Sequence, residues 1–495
     1  MEFFKAMRTS NEIPLPPLEE CSIELTRIAN DPNEYSSKRV IKRIFLWPKK
    51  YIKKIYNSYL LIRYAELREP AAKNICPMRW INQFSTLFFD MKIVSKPNLM
   101  KAILRQPRKD PVNGIFDDRE NAQVFLPLLR DLYPSEEISC EDFLLTCSKG
   151  YINYYRQPIL RFIGPNNIKN HQFELQKIVE ETLSHLEEAA PINSMEFSFT
   201  FTTHVISRLL LGHPGPVSTY KEIAYAIDYL NKYVMKRTWR QRISKSEKKK
   251  YLAALDVVRK AIETSLTSLE KPVLGSLIDT LREEKKMTEL QIKTTLLLMY
   301  LGGSETAASL LNYLLWQLGQ HLDYQEKIFQ ELKQGTGTLF EKANNSLCID
   351  RLFNESIRLF TPAYVMGRQP AADLVCRVKN KQGELIFSEK IDKKEGLLCG
   401  ATFAARDPLQ FEKPDQFNPY RFQDSLKTLS WLPFGDGKHS CPGQWLAKNE
   451  VILFVAGLVQ KYQVRSYPPK EIGQKGYMTL KPAEEVSLRL IPRKH

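Results

Sequence analysis

Cys441 is the residue best placed to do chemistry. The stretch Trp431-Leu432-Pro433-Phe434-Gly435-Asp436-Gly437-Lys438-His439-Ser440-Cys441-Pro442-Gly443-Gln444-Trp445-Leu446 sets one thiol between a glycine-rich turn and the start of an apolar helical pattern. Gly435 and Gly437 permit positive dihedrals and close backbone approach, and Pro442 and Gly443 open a helix. The amide groups and dipole at that helix start favour a thiolate, which is a metal ligand. The competing reading is a buried, inert core cysteine.

Two other constellations accompany it. Thr288-Glu289-Leu290-Gln291 is a capping box, and it opens a helical pattern of roughly 30 residues, or about 45 Å. In its middle stands Gly302-Gly303-Ser304-Glu305-Thr306. Two mid-helix glycines cost about 2 kcal/mol relative to alanine, and an acid beside an apolar run adds a desolvation cost. Either a function offsets this, or the glycines serve close helix packing with Glu305 at a water-filled pocket. In Asp350 to Phe360, Glu355 and Arg358 lie three apart on one helical face, the spacing of an ion pair.

Taken together and in this order, these motifs resemble the cytochrome P-450 family. Phe434, Gly437, Cys441 and Gly443 fall at the four signature positions of its haem-binding loop, with Gly435 in the same turn. The resemblance implies haem b with its iron ligated by Cys441. It departs at His439, where the family usually has arginine; histidine donates to a haem propionate with a weaker, pH-dependent charge. Arg368, ten residues after Arg358, matches a propionate-binding arginine. In Tyr154-Tyr155-Arg156-Gln157-Pro158-Ile159-Leu160-Arg161, either Arg156 or Arg161 takes the place of a helical propionate donor, the usual tryptophan being absent. Glu305 and Thr306 correspond to the acid–alcohol pair that relays protons to dioxygen, with Gly302 and Gly303 making room. Glu355 and Arg358, completed by Arg421 of Pro419-Tyr420-Arg421-Phe422, correspond to a buried structural network.

The implied activity is insertion of one oxygen atom of O2 into a C–H bond of a lipophilic molecule such as a fatty acid, sterol or terpenoid. No flavin or nicotinamide motif is visible, so electrons are expected from a separate acidic ferredoxin, flavodoxin or reductase meeting the basic surface near Lys438 and Lys448. The alternatives are a peroxide-driven or isomerising relative of the same fold, and a non-catalytic haem-binding or lipid-surface protein.

The elements that must position these residues read as mainly α with small β-sheets. Of the 495 residues 43% are hydrophobic, which supplies a large core and excludes general disorder. No interior linker, repeat or composition break divides the chain, so one large domain over 71–495 is expected after an N-terminal arm over 1–70. That arm carries Lys38 to Arg63, where Tyr51, Ile52, Ile55, Tyr56, Tyr59 and Leu60 form an apolar stripe opposite lysines. Such a basic helix packs on the domain or lies on an anionic membrane. The net charge of +16 comes without a nucleic-acid-binding motif, so no nucleic-acid partner is expected. Eight scattered cysteines without a Cys-x-x-Cys pair point to a reducing, cytoplasmic setting and away from zinc. Residues 105–137, which show no clear periodicity, correspond to the roof of the family's substrate cavity.

Overall fold

The computed structural model describes residues 22–27, 78–81, 90–94 and 97–105, and then 116–493 apart from 118, 148, 187–190, 239–240, 269–274, 284–286, 365, 380–381, 394, 408–409, 423–430, 470–471 and 477. The expected basic helix at Lys38 to Arg63 lies outside the described residues. The chain packs as two compact units, one of residues 1–118, 365–404 and 436–438, the other of 119–364, 405–435 and 439–495.

The first unit holds the larger sheets. Strands β1 (Ser22–Arg27), β2 (Met78–Ile81), β3 (Asp90–Val94) and β4 (Phe116–Asp117) come from its N-terminal part. Strands β6 (Met366–Pro370), β7 (Leu374–Lys379), β8 (Leu385–Ile391) and β9 (Glu395–Cys399) come from its second stretch of chain. Five of them pair in the order β2-β3-β9-β6-β4, and three as β1-β7-β8. Ser22–Arg27 of the expected arm is thus extended and pairs antiparallel with β7. The turn into β8 uses Gly383 at φ 84°, where a side chain would be strained. Helix α1 (Pro97–Leu104) buries Met100, Ile103 and Leu104 along one face.

The second unit is a helical body. Its helices include α2 (Arg119–Leu132), α3 (Lys149–Ile163), α4 (Ser194–Val205), α5 (Val217–Thr238) and α6 (Lys245–Thr267). The long α7 covers residues 289–320, and α8 (Leu347–Leu359) and α9 (Gln444–Lys461) follow. Strand β5 (Ile192–Asn193) pairs with β13 (Ser487–Pro492), which also pairs with β10 (Tyr462–Tyr467). A hairpin joins β11 (Gln474–Gly476) to β12 (Leu480–Pro482). Helix α9 lies at the core: Val451 to Val455 are all at most 2% exposed, and Phe454 meets Phe201 of α4 at 4.6 Å between ring centroids.

Two elements differ from expectation. Arg119–Leu132 is helical where no periodicity was visible, because Leu128, Leu129 and Leu132 make one short buried face that Pro127 interrupts in the sequence. The long helix is not uniformly α: Glu289–Leu298 widens into a π-turn, Met299–Ser304, before Glu305–Gln320 resumes. The Ser304 carbonyl accepts a hydrogen bond from Thr202 Oγ1 of α4 at 2.8 Å, one way a widened turn keeps its backbone satisfied. Among the described residues no helix is long and apolar enough to cross a membrane.

Candidate functional site

The loop before Cys441 is built as its glycines require. Gly435 and Gly437 adopt φ of 72° and 73°. A methyl on Gly437 would fall 3.0 Å from the Leu104 carbonyl oxygen and 3.1 Å from Arg105 Cα, so the position also demands a small residue. Asp436 binds the same neighbour, accepting from Arg105 Nε at 2.9 Å. The Cys441 amide donates to the Phe434 carbonyl at 2.8 Å, which closes the loop immediately before α9. Phe434 and Trp445 pack on the core. Lys448, one turn into α9, is paired with Asp350 at 2.5 Å.

Cys441 itself is half-buried. Burial pushes its thiol pKa up, while the Gly443 amide and the Arg156 guanidinium pull it back toward the thiolate. Arg156 reaches the loop from α3 and donates to the Ser440 carbonyl and, at 3.5 Å, to Ser440 Oγ. Arg161, one and a half turns on, is exposed. Of the two arginines left open by the sequence, Arg156 is the one beside the cysteine. His439 is half-buried within the short helical turn Gly437–His439. In the first unit, Arg368 is 5% exposed on β6 and donates to the Gly367 carbonyl at 2.7 Å.

Glu355, Arg358 and Arg421 do meet. Arg358 Nε and Nη2 grip the two Glu355 oxygens at 2.7 and 2.8 Å, a bidentate pair with both side chains at 0% exposure. Arg421 Nε adds a bond to Glu355 Oε1 at 3.0 Å, and the Asn418 amide another at 2.8 Å. Arg358 Nη1 donates onward to the Ala405 and Pro414 carbonyls at 2.9 and 2.6 Å, so α8 is tied to residues 405–421.

On α7 the small residues have unequal surroundings. Gly303 is pressed against the π-turn of α4's extension, where a Cβ would stand 2.6 Å from Ile206 Cδ1. Gly302 is exposed although Leu298, Leu301, Ser304 and Glu305 around it are buried, and a Cβ there would meet only Leu298 Cδ1 at 3.6 Å. Thr306 lies one turn on, its hydroxyl donating to the Gly302 carbonyl at 2.6 Å. Glu305 does not bond to Thr306 in this arrangement. Its carboxylate accepts from Asn231 of α5 and from Thr479 Oγ1 at 3.0 Å, and pairs with Lys481 of β12 at 2.5 Å. Nothing in the sequence pointed to Asn231, Thr479 or Lys481; a lysine beside a proline in a short strand reads as surface.

These residues fit a haem. Among the described residues no three His, Cys, Asp or Glu side chains group into a metal site, so Cys441 offers a lone soft donor. A lone thiolate cannot satisfy a bare ion's coordination, but it suits an iron already held by a macrocycle. The open face at Gly302 and Thr306, set in a mostly buried helix, suits a flat group and a small ligand.

Comparison with known proteins agrees with the geometry. A family model described as Cytochrome P-450 matches residues 164–488. The chain is similar to mouse cytochrome P-450 2B9, 27% identical over 48% of this chain and 51% of that protein. It is also similar to the guinea pig (Cavia porcellus) steroid 17-alpha-hydroxylase/17,20 lyase, 26% identical over 37% and 36%. The chain thus spans about a third to a half of the length of the curated relatives it matches. A mutant heme domain of cytochrome P-450DA superposes with a TM-score of 0.67 over 90% of this chain and 95% of that one at 15% identity, which speaks for the fold.

Proposed function

Because the chain belongs to the cytochrome P-450 family, we propose that it is a haem-thiolate monooxygenase whose iron is held by Cys441. The carrying observation is the half-buried Cys441 thiol at the end of the glycine-rich loop, closed by the Cys441 amide bond to the Phe434 carbonyl, with the Gly443 amide and the Arg156 guanidinium beside the sulfur. Haem held there by Cys441 would supply an iron for the reduction of dioxygen, and its thiolate ligation would favour O–O cleavage over reversible storage. Arg156 and Ser440 hold the loop in place, and Phe434, Gly435 and Gly437 shape it. Arg368 and His439 are the proposed propionate donors, with Arg156 a further cation beside the loop. Gly302 keeps one face of α7 open for dioxygen. The Thr306 hydroxyl is placed to pass a proton across that face, exchanging its bond to the Gly302 carbonyl for one to a water, with Glu305 as the acid behind it. Glu355, Arg358 and Arg421 anchor residues 405–421, which lead into the cysteine loop.

The proposed substrate is a lipophilic small molecule, in keeping with the family, with the steroid named for one relative and with the apolar Leu298 beside the open face. The proposed electron donor is an acidic carrier, which the net charge of +16 supports. Turnover of a lipophilic panel under labelled dioxygen tests the reading. Product carrying one labelled oxygen per two electrons is expected; products formed without dioxygen would overturn monooxygenation in favour of peroxide-driven or isomerising chemistry.

A further inference from the structure

Lys481 is a buried cation between two carboxylates on two different helices. Its Nζ lies 2.5 Å from Glu305 Oε1 of α7 and 2.8 Å from Asp228 Oδ1 of α5, and its side chain is 9% exposed. Burial alone would lower its pKa, yet the two carboxylates more than compensate and hold it above the ordinary lysine value. Asp228 is paired in addition with Lys232, and α5 sends Asn231 to the second Glu305 oxygen. Thr479, two residues before Lys481, donates to the first. Both oxygens of Glu305 are therefore taken by α5 and the β11–β12 hairpin. Thr306 is turned to its own helix, and consecutive helical residues point to different sides.

We propose that Lys481 is a positioning residue, an ionic latch that ties α5 and the C-terminal hairpin to the middle of α7 and holds the Glu305 carboxylate away from Thr306. Proton supply to the open face is then linked to where α5 sits: Glu305 turns toward Thr306 when Asn231 and Lys481 release it. The acid's rest position is set from outside α7. This inference rests on the reading of Glu305 and Thr306 as an acid–alcohol pair.

The test compares wild type with Lys481→Met, Lys481→Arg and Asp228→Asn by amide hydrogen exchange. Hydrogen peroxide release is then followed with an added electron donor and no substrate. Losing one partner of a buried, hydrogen-bonded ion pair should speed exchange at residues 223–234 by about tenfold or more in Lys481→Met. Substrate-free peroxide release should rise severalfold, and Lys481→Arg should restore both. Asp228→Asn, which removes the α5 share of the cation, should loosen α5 in the same way and stands in if Lys481→Met fails to fold. Unchanged exchange on α5 in a folded variant overturns the latch. Faster exchange with peroxide release at the wild-type level overturns the positioning of Glu305 while leaving the tie between the elements. A failure of the acid–alcohol reading itself shows separately, as a Thr306→Ala variant that keeps its electrons coupled to product.

Discussion

Replacing Arg358 with alanine tests how the cysteine loop is held. The guanidinium is 0% exposed and donates twice to Glu355 and once each to the Ala405 and Pro414 carbonyls, with its face 4.9 Å from the Phe411 ring centroid. Truncation leaves Glu355 buried with only Arg421 and the Asn418 amide, and strips two carbonyls of their donor. Breaking a buried ion pair on one side costs about 3–5 kcal/mol, much of it from the charge left behind. The unfolding entropy is about 2.1 cal/mol/K per residue, so a unit of roughly 330 residues loses about one degree per 0.7 kcal/mol. Arg358→Ala should therefore lower Tm by about 4–7 °C, and Arg358→Lys, which keeps the charge but not the fork, by less. Calorimetry or thermal circular dichroism reads the shift, and the haem content of the purified variant reads its effect on the loop. A variant with Tm within a degree of wild type and full haem loading would refute the reasoning.

Other consequences are as direct. Gly302→Ala should fold as well as wild type or gain up to about 1 kcal/mol, since its Cβ meets only Leu298, yet should impair turnover by closing the open face. Gly303→Val should instead cost about 1–3 kcal/mol against Ile206, and Ile206→Ala should recover part of that; equal behaviour of the two glycines in denaturant titrations would count against this distinction. Thr306→Ala should lower product formed per electron pair at least about tenfold with little change in Tm, and unchanged coupling would remove the relay. His204 is buried against Tyr220, and burial, then Arg208, holds its pKa down at about 3 against an ordinary 6.5. Below pH 6.5 the unfolded chain takes up a proton that the fold refuses, so stability falls from pH 6.5 toward pH 3. The loss from this residue is about 2 kcal/mol by pH 5. His204→Phe should flatten that part of the stability–pH curve; an unaltered slope would place the loss elsewhere.

What the sequence disclosed depended on whether the partners were local. The Cys441 loop was legible because its glycines, proline and cysteine are contiguous, and their backbone demands are visible in residue type alone. Glu355 and Arg358 were legible from helical spacing, and their union with Arg421 followed from the family's chain order. Arg156 and Arg161 were indistinguishable until α3 turned one toward Ser440 and the other to solvent. The latch was invisible: Glu305 and Lys481 are far apart in the chain, and neither periodicity nor propensity marks a lysine that a fold will bury between two acids. The π-turn escaped for a related reason, since its two glycines signalled a tolerated weakness in a helix but not the widening that resulted.

The central claim is that the Cys441 sulfur ligates a haem iron. The absorption spectrum of reduced protein under carbon monoxide, recorded for wild type and Cys441→His, tests it most directly. A thiolate-type, red-shifted Soret band in wild type that is lost in the variant is the predicted result. A histidine-type band in wild type, or no haem in properly folded protein, would contradict it.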